Sequence, residues 1–240
     1  MVNPDTSPLL FRHLLTRLGE AQILLPAMVL AIAWLTWRQG PTRLALGWLA
    51  GTALAATITT LSKVAFIGYG VGLPALDFTG ISGHAMFAAA VLPPLLRLSA
   101  GTLTMRWQTA SLVLGYSLAA AVAVSRVMVG AHSGSEVAAG FALGASASGL
   151  ALLTAQVPAV HLPRWVLAAV LAWGTLGVAA APPSRTHDWV TQLALAQSGR
   201  NQPYQRWQMH QDHRRHQDNR LHQDKLRQQP VLRPPSLQAR

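Results

Sequence analysis

Long apolar runs, separated by short polar segments, occupy most of the chain. Six of these runs approach the roughly 20 residues that a transmembrane helix needs. They cover residues 21–37, 44–62, 84–98, 107–124, 135–155 and 164–181. Because the hydrocarbon core of a bilayer has no water to bond backbone N–H and C=O groups, segments that cross it form helices. The pattern therefore predicts an all-α fold, a polytopic transmembrane helical bundle of about six spans.

The third run is the weakest candidate, because Pro93 and Pro94 interrupt it and Arg97 closes it. A helix here should be short or bent, with neighbouring helices covering the interruption. In the fifth run, Gly140 and Gly144 begin a face of small residues spaced four apart. Such a face predicts that another helix approaches this one closely.

Composition divides the chain further. Only 11% of the residues are charged, less than half of the ~25% usual in soluble domains. Ten of the 19 basic residues lie from Arg185 onward, in a Gln-rich tail with His-Gln-Asp repeats at His210, His216 and His222. This composition cannot bury a core, which predicts disorder. The predicted divisions are an N-terminal segment (1–20), a transmembrane domain (21–183) and a disordered basic C-terminal tail (184–240).

The net charge of +11 does not indicate nucleic-acid binding. Outside the tail, basic residues stand singly at the ends of apolar runs, as charges that flank membrane spans do. We interpret the tail as a disordered or surface segment attracted to anionic lipid, and favour this over weak metal binding by its histidines. The absence of cysteine excludes disulfides, thiolate metal sites and cysteine nucleophiles.

Polar and ionisable residues collect at the edges of three apolar runs. Placing such residues near lipid is costly, so each is a candidate functional residue. They are Lys63, then Ser82, Gly83 and His84, then Ser125, Arg126, His132 and Glu136. The two cations, with the free backbone amides of a helix that starts near Gly83, suit an oxyanion such as phosphate.

Two histidines beside an anion site indicate phosphoryl chemistry. One imidazole can attack phosphorus in its neutral form, while the other, protonated, donates to the leaving oxygen. Glu136 lies one helical turn beyond His132 and can accept a hydrogen bond from its far ring nitrogen, which fixes the tautomer. The residues alone leave open which histidine attacks.

The spacing of these residues resembles a known family. Ser82-Gly83-His84 and Ser125-Arg126-x5-His132-x3-Glu136 are similar to the second and third signature motifs of the type 2 phosphatidic acid phosphatase superfamily, which also includes vanadium-dependent haloperoxidases. The resemblance covers about residues 63–136. It implies a helical bundle with a site at the membrane face, and it requires neither a metal nor a cofactor.

The resemblance also implies a role for each residue. His132 would form a phosphohistidine, His84 would protonate the leaving group and later activate water, and Glu136 would orient His132. The phosphate oxygens would be held by Lys63, Ser82, Gly83 and Arg126.

The chain departs from the family pattern at three positions. The first motif, Lys-x6-Arg-Pro, has Gly70 where its arginine belongs, so one phosphate-binding cation is missing. Ile81 replaces the proline of the second motif, and Glu136 replaces an aspartate. The missing cation implies weaker phosphate binding, an unusual substrate or lost activity. Asp77, in the same loop as Gly70, has no assigned role.

Simpler interpretations of the same residues stay open. Ser133 and Glu136 match a capping box at a helix start. Lys63 and Arg126 are also suited to anchoring helix ends at a membrane interface. Ser82 is a good N-cap residue.

We expect a membrane lipid phosphatase acting on a lipid-linked phosphate, such as phosphatidic acid, phosphatidylglycerol phosphate or undecaprenyl diphosphate. The alternative is a catalytically silent family member that binds or moves lipid phosphates; a transporter or a haloperoxidase fits less well. Short loops rich in arginine place the long connections, residues 63–83 and 125–134, outside the cytoplasm. We therefore expect an integral protein of a bacterial inner membrane whose site faces the extracytoplasmic side.

Overall fold

The computed structural model describes residues 15–155, 172–173 and 186–228. Seven α-helices are described over their full length. They are α1 (Ala21–Gln39), α2 (Arg43–Tyr69), α3 (Gly83–Ser99), α4 (Met105–Met128), α5 (Gly134–Thr154), α6 (Thr186–Ser198) and α7 (Arg206–Gln228), with one 3₁₀ turn at Pro74–Leu76. No β-strand forms among the described residues, so the predicted all-α class is confirmed.

Four of these helices, α1, α2, α4 and α5, are long and apolar enough to cross a membrane. The sequence predicted about six spans, and the described residues support four of them. The third predicted run forms α3, whose 17 residues span roughly 25 Å at 1.5 Å per residue. Apart from residues 172 and 173, the sixth predicted run lies outside the described residues.

Helix α3 forms the centre of the bundle and packs against α1, α2, α4 and α5. Ala88, Ala89, Ala90 and Val91 are consecutive and all fully buried. Since successive residues point in different directions around a helix axis, protein surrounds α3 on every side. The run that was the weakest candidate span is therefore the best-covered helix among those described.

The paired prolines of α3 are compensated by its neighbours. Proline has no N–H, so Pro93 and Pro94 leave the carbonyl groups of the residues four positions earlier without their helical donors. Ser148 Oγ in α5 donates to the carbonyl oxygen of Ala89 at 2.8 Å. Trp48 Nε1 in α2 donates to that of Ala90 at 2.8 Å. As predicted, neighbouring helices supply the missing donors, and α3 continues through the two prolines.

Small residues let α5 approach α3 closely. A Cβ atom added at Gly140 would overlap the carbonyl oxygen of Ser82, and one at Gly144 would overlap that of Met86. On the other side of α3, a Cβ at Gly115 of α4 would lie 2.6 Å from the Cα of Pro93. These contacts fix the start of α3 against the start of α5.

The prediction of a disordered tail is not confirmed for residues 186–228, most of which form α6 and α7. Ala194 and Met209 are buried against Val64, Phe66 and Ile67 near the end of α2. The prediction rested on the Gln- and Arg-rich composition of the whole tail and overlooked these few apolar residues. From residue 213 onward, the described side chains of α7 are exposed, in keeping with that polar composition.

Candidate active site

A cavity of about 860 Å³ opens where the end of α2, the start of α3, the end of α4 and the start of α5 meet. These ends meet because the four helices alternate in direction along the chain. Five of the residues predicted from the sequence line this cavity: Lys63, Gly83, His84, Arg126 and His132.

The Lys63 ammonium lies beside the start of α3. Its Nζ is 4.0 Å from the position that a Cβ at Gly83 would occupy. The side-chain stem packs on Gly80, whose φ of +143° favours glycine. A cation and the unobstructed first turn of a helix thus face the same space, which suits an anion.

Ser82 is placed differently from the other predicted ligands. It is fully buried and is the N-cap of α3, and it does not line the cavity. Its backbone N–H donates to the carbonyl oxygen of Glu136 at 3.1 Å. The Ser82 hydroxyl has no hydrogen-bond partner among the described residues.

His132 and Glu136 form the closest polar contact of the predicted set. His132 Nδ1 lies 2.7 Å from Glu136 Oε2, which leaves Nε2 as the nitrogen free for chemistry. Burial lowers the pKa of His132, and the hydrogen bond to Glu136 opposes this shift without reversing it. The imidazole is therefore neutral at neutral pH, which is the form a nucleophile needs, and acid protonates it.

The carboxylate of Glu136 is fully buried behind His132. Oε1 accepts hydrogen bonds from the Thr79 backbone N–H at 2.7 Å and from its hydroxyl at 2.5 Å. Ser133 N–H donates to Oε2 at 3.1 Å, and the Ser133 hydroxyl accepts from Glu136 N–H. The capping box is therefore present, and the same carboxylate also contacts the histidine.

Residues 199–212, which we call the docked segment, lie against the cavity and were not predicted as part of the site. Tyr204, Gln205 and Arg206 line it. Arg206 Nη2 lies 2.9 Å and 3.0 Å from the two oxygens of Glu136. The sequence offered no local signal for this contact, although Arg206 also bonds Asp77, the loop residue that had no assigned role.

Two further cavity residues were also missed as site residues. Glu20 lies just before α1 and lines the cavity. It is an ionisable residue at the edge of an apolar run, so the criterion that selected the other candidates also selects Glu20. His187, in α6, lines it too; in sequence it is one of several histidines in a polar tail, with nothing to single it out. Burial lowers the pKa of His187, so it contributes no charge near neutral pH.

Gly70 ends α2 in a left-handed conformation with φ of +72°. A Cβ at this position would lie 3.3 Å from the ring of Tyr204. The position that carries arginine in the family motif is thus covered by the docked segment, and no cation projects from it.

Within residues 15–155, 172–173 and 186–228, no group of three or more His, Asp or Glu side chains is arranged to hold a metal ion. Lys63 and Arg126, which line the cavity, are cations suited to hold the oxygens of a phosphate group.

Comparison with known proteins identifies the family. The sequence profile of the PAP2 superfamily matches residues 14–159, a range that contains all seven predicted site residues. The chain belongs to the PAP2 superfamily. Members of this superfamily are typically phosphatases, so membership supports phosphatase activity on phosphorylated substrates.

A relative from Klebsiella pneumoniae, called "Uncharacterized 22.5 kDa protein in cps region", is 32% identical over 202 residues, covering 82% of this chain and 97% of the relative. No solved structure matches the chain significantly.

Proposed function

We propose that this chain is an integral membrane phosphatase that hydrolyses a phosphate monoester or diphosphate of a lipid through a phosphohistidine intermediate. The main support is the pair formed by His132 and the buried Glu136. Beside this pair, Lys63 and Arg126 line the same cavity. The site lies at the ends of apolar helices.

In the first step, His132 Nε2 attacks phosphorus and the bond from phosphorus to the leaving oxygen breaks. His84, which takes up a proton when the anionic phosphate group binds beside it, gives this proton to that oxygen, so the lipid leaves as an alcohol or a monophosphate. Glu136 stabilises the positive charge that develops on the His132 ring through Nδ1. Lys63, Arg126 and the amide of Gly83 stabilise the equatorial oxygens of the transferring group.

In the second step, water attacks the phosphohistidine. His84, now neutral, accepts a proton from this water as the new bond to phosphorus forms. The bond between phosphorus and His132 Nε2 breaks, inorganic phosphate leaves, and both histidines return to their starting states.

A lipid substrate is supported by the surface around the site. Leu61, Val124 and Met128 are 60%, 56% and 51% exposed. Each lies two residues from Lys63 or Arg126, so the helices expose apolar side chains on their outer faces at the level of the cavity. A substrate with a hydrocarbon tail and a phosphate head fits this juxtaposition. We further propose a bacterial inner membrane as the location, with the cavity on the extracytoplasmic side.

Phosphate release from purified protein in detergent micelles tests this function. The substrates are phosphatidic acid, phosphatidylglycerol phosphate and undecaprenyl diphosphate. We expect at least one to be hydrolysed, and expect His132→Ala to reduce kcat by at least about 10³-fold, since the nucleophile is lost. His222→Ala, at an exposed position of α7, is the matched control and should retain wild-type activity.

A silent family member that binds or moves lipid phosphates is the second candidate, and the missing cation at Gly70 favours it. Negligible and equal release from wild type and His132→Ala would support this candidate and contradict the phosphatase. The retained pair of histidines favours the phosphatase, since binding alone needs cations rather than two positioned imidazoles.

A further inference from the structure

Arg206, the first residue of α7, reaches from the docked segment into the candidate active site. Its Nη2 lies 2.9 Å and 3.0 Å from the two Glu136 oxygens and 3.2 Å from the Thr79 hydroxyl. Its Nη1 donates to the Asp77 carbonyl oxygen at 3.0 Å and also to the Asp77 carboxylate. One guanidinium therefore joins the loop between α2 and α3 to the carboxylate that contacts His132.

The buried carboxylate of Glu136 needs such a partner. A buried charge is costly unless it is paired and hydrogen-bonded. Thr79 and Ser133 supply only neutral donors, and His132 carries a charge only when protonated. Arg206 supplies a guanidinium cation, and its Nη2 contacts both oxygens of the carboxylate.

The docked segment is anchored well enough to hold Arg206 in place. Tyr204 N–H donates to the Ile67 carbonyl oxygen at 2.9 Å, and its ring packs edge-on against Phe66. Burial and a hydrogen bond to Asp212 raise the pKa of Tyr204 to about 12, so its hydroxyl stays a donor. Met209 is 4% exposed.

A second contact supports the same placement. His210 Nε2 lies 2.8 Å from the Asp77 carboxylate, so Asp77 contacts two residues of α7. The ring of Tyr204 covers Gly70, where the family motif has arginine. The docked segment therefore brings both this ring and the Arg206 guanidinium to the loop between α2 and α3.

We propose that Arg206 is a positioning residue, which fixes and neutralises the Glu136 carboxylate so that it orients His132. Both Nη atoms of Arg206 are engaged by Asp77, Thr79 and Glu136, so the role we assign to it is to hold Glu136 rather than to bind phosphate. This inference rests on the proposed function for its effect on turnover, but its effect on His132 can be measured without any substrate.

The kinetic test compares Arg206→Gln with Arg214→Gln in full-length protein, using the lipid from the panel above that wild type hydrolyses. Arg214 is exposed on the same helix. We expect Arg206→Gln to lower kcat by about 10- to 100-fold with little change in KM, as for other residues that orient a reacting group. Arg206→Lys should recover part of this loss, and Arg214→Gln should match wild type. A change in KM alone, or no change, would overturn the proposal.

The second test measures the pKa of His132 by NMR of histidine-labelled protein in micelles. The charged and titratable groups around His132 are Glu136 of α5, Lys63 of α2, Arg126 of α4 and His84 of α3. Removing the nearby Arg206 cation should raise the pKa of His132 in Arg206→Gln but not in Arg214→Gln. Equal values in all three proteins would overturn the proposal.

The two tests separate the inference from the proposed function. If wild type releases no phosphate from any lipid, the phosphatase is contradicted and the NMR comparison alone decides the role of Arg206. Thermal unfolding of each variant shows whether it is folded. If Arg206→Gln fails to fold, Arg206→Lys takes its place in the NMR comparison, because lysine cannot reproduce the contact with both Glu136 oxygens. A raised pKa of His132 then supports the proposal, and an unchanged pKa overturns it.

Discussion

The two walls of the cavity are built in different ways. One wall consists of the ends of α2 to α5, where glycines such as Gly140 and Gly144 bring helix backbones into direct contact. The other is the docked segment, which is held by a few large side chains, chiefly Tyr204 and Met209. The first wall carries the two histidines, and the second adds a charge that supports one of them.

The two walls differ in how firmly they hold their residues. Backbone contact leaves a helix few ways to move, which suits residues that need exact placement. Side-chain docking depends on a few contacts and can be weakened by a single substitution. We therefore expect substitutions in the first wall to have larger effects than those in the second.

The largest effect is expected for Glu136→Gln. The amide keeps the shape of the side chain but removes the charge that orients and stabilises His132. By analogy with the carboxylate of a catalytic triad, kcat should fall by about 10²- to 10⁴-fold. Phosphate release from the lipid that wild type hydrolyses measures this. Glu136→Asp, which keeps the charge with a shorter reach, should lose less activity. Equal activity of Gln and wild-type proteins would show that Glu136 serves only as a helix cap.

An intermediate effect is expected for Gly144→Ala, which tests the backbone contact itself. The added methyl would overlap the Met86 carbonyl oxygen and lie 3.0 Å from the Ala89 Cβ. Separating α5 from α3 should lower the free energy of unfolding by about 1–3 kcal/mol.

The matched control for this substitution is Gly149→Ala on the same helix. The nearest atom to a Cβ there is the Tyr116 hydroxyl oxygen at 3.8 Å, so alanine should be neutral or slightly stabilising. Thermal unfolding in micelles compares the two variants. Similar melting temperatures for both would contradict the close contact between α3 and α5.

The smallest effect is expected for Tyr204→Ala, which weakens the contact of the second wall with α2 and leaves the residues of the first wall unchanged. Loss of the ring from Phe66 should cost about 1 kcal/mol of local docking free energy. Hydrogen exchange of the amides in residues 199–212 should then rise by roughly fivefold. Tyr204→Phe keeps the ring and loses only the bond to Asp212, so its exchange should rise less. Unchanged exchange in the alanine variant would show that the Tyr204 ring does not anchor the segment.

The first wall was predicted better from the sequence than the second, because the motifs that identify its residues are local in the chain. Five of the predicted residues stand at fixed spacings near the ends of apolar runs: Lys63, His84, Arg126, His132 and Glu136. Regular helix geometry converts such spacings along the chain into predictable relative positions. Their meeting at one end follows from helices that alternate in direction. Their roles in catalysis stay predictions until variants are assayed.

Other features could not be derived in this way. The part played by Arg206 depends on how residues far apart in the chain dock, which its local sequence does not reveal. Ser82 shows a different limit, since its motif position did not reveal that its side chain is buried away from the cavity. The central place of α3 was also hidden, because the donors that cover Pro93 and Pro94 belong to other helices.

Those donors bear on how the protein is assembled in the membrane. A helix released into lipid alone would expose the carbonyl groups of Ala89 and Ala90, each at a cost of several kcal/mol. Trp48 has already been synthesised when α3 emerges from the ribosome, but Ser148 has not. An α3 helix that enters the membrane before α5 would therefore lack the donor that Ser148 gives to the Ala89 carbonyl group.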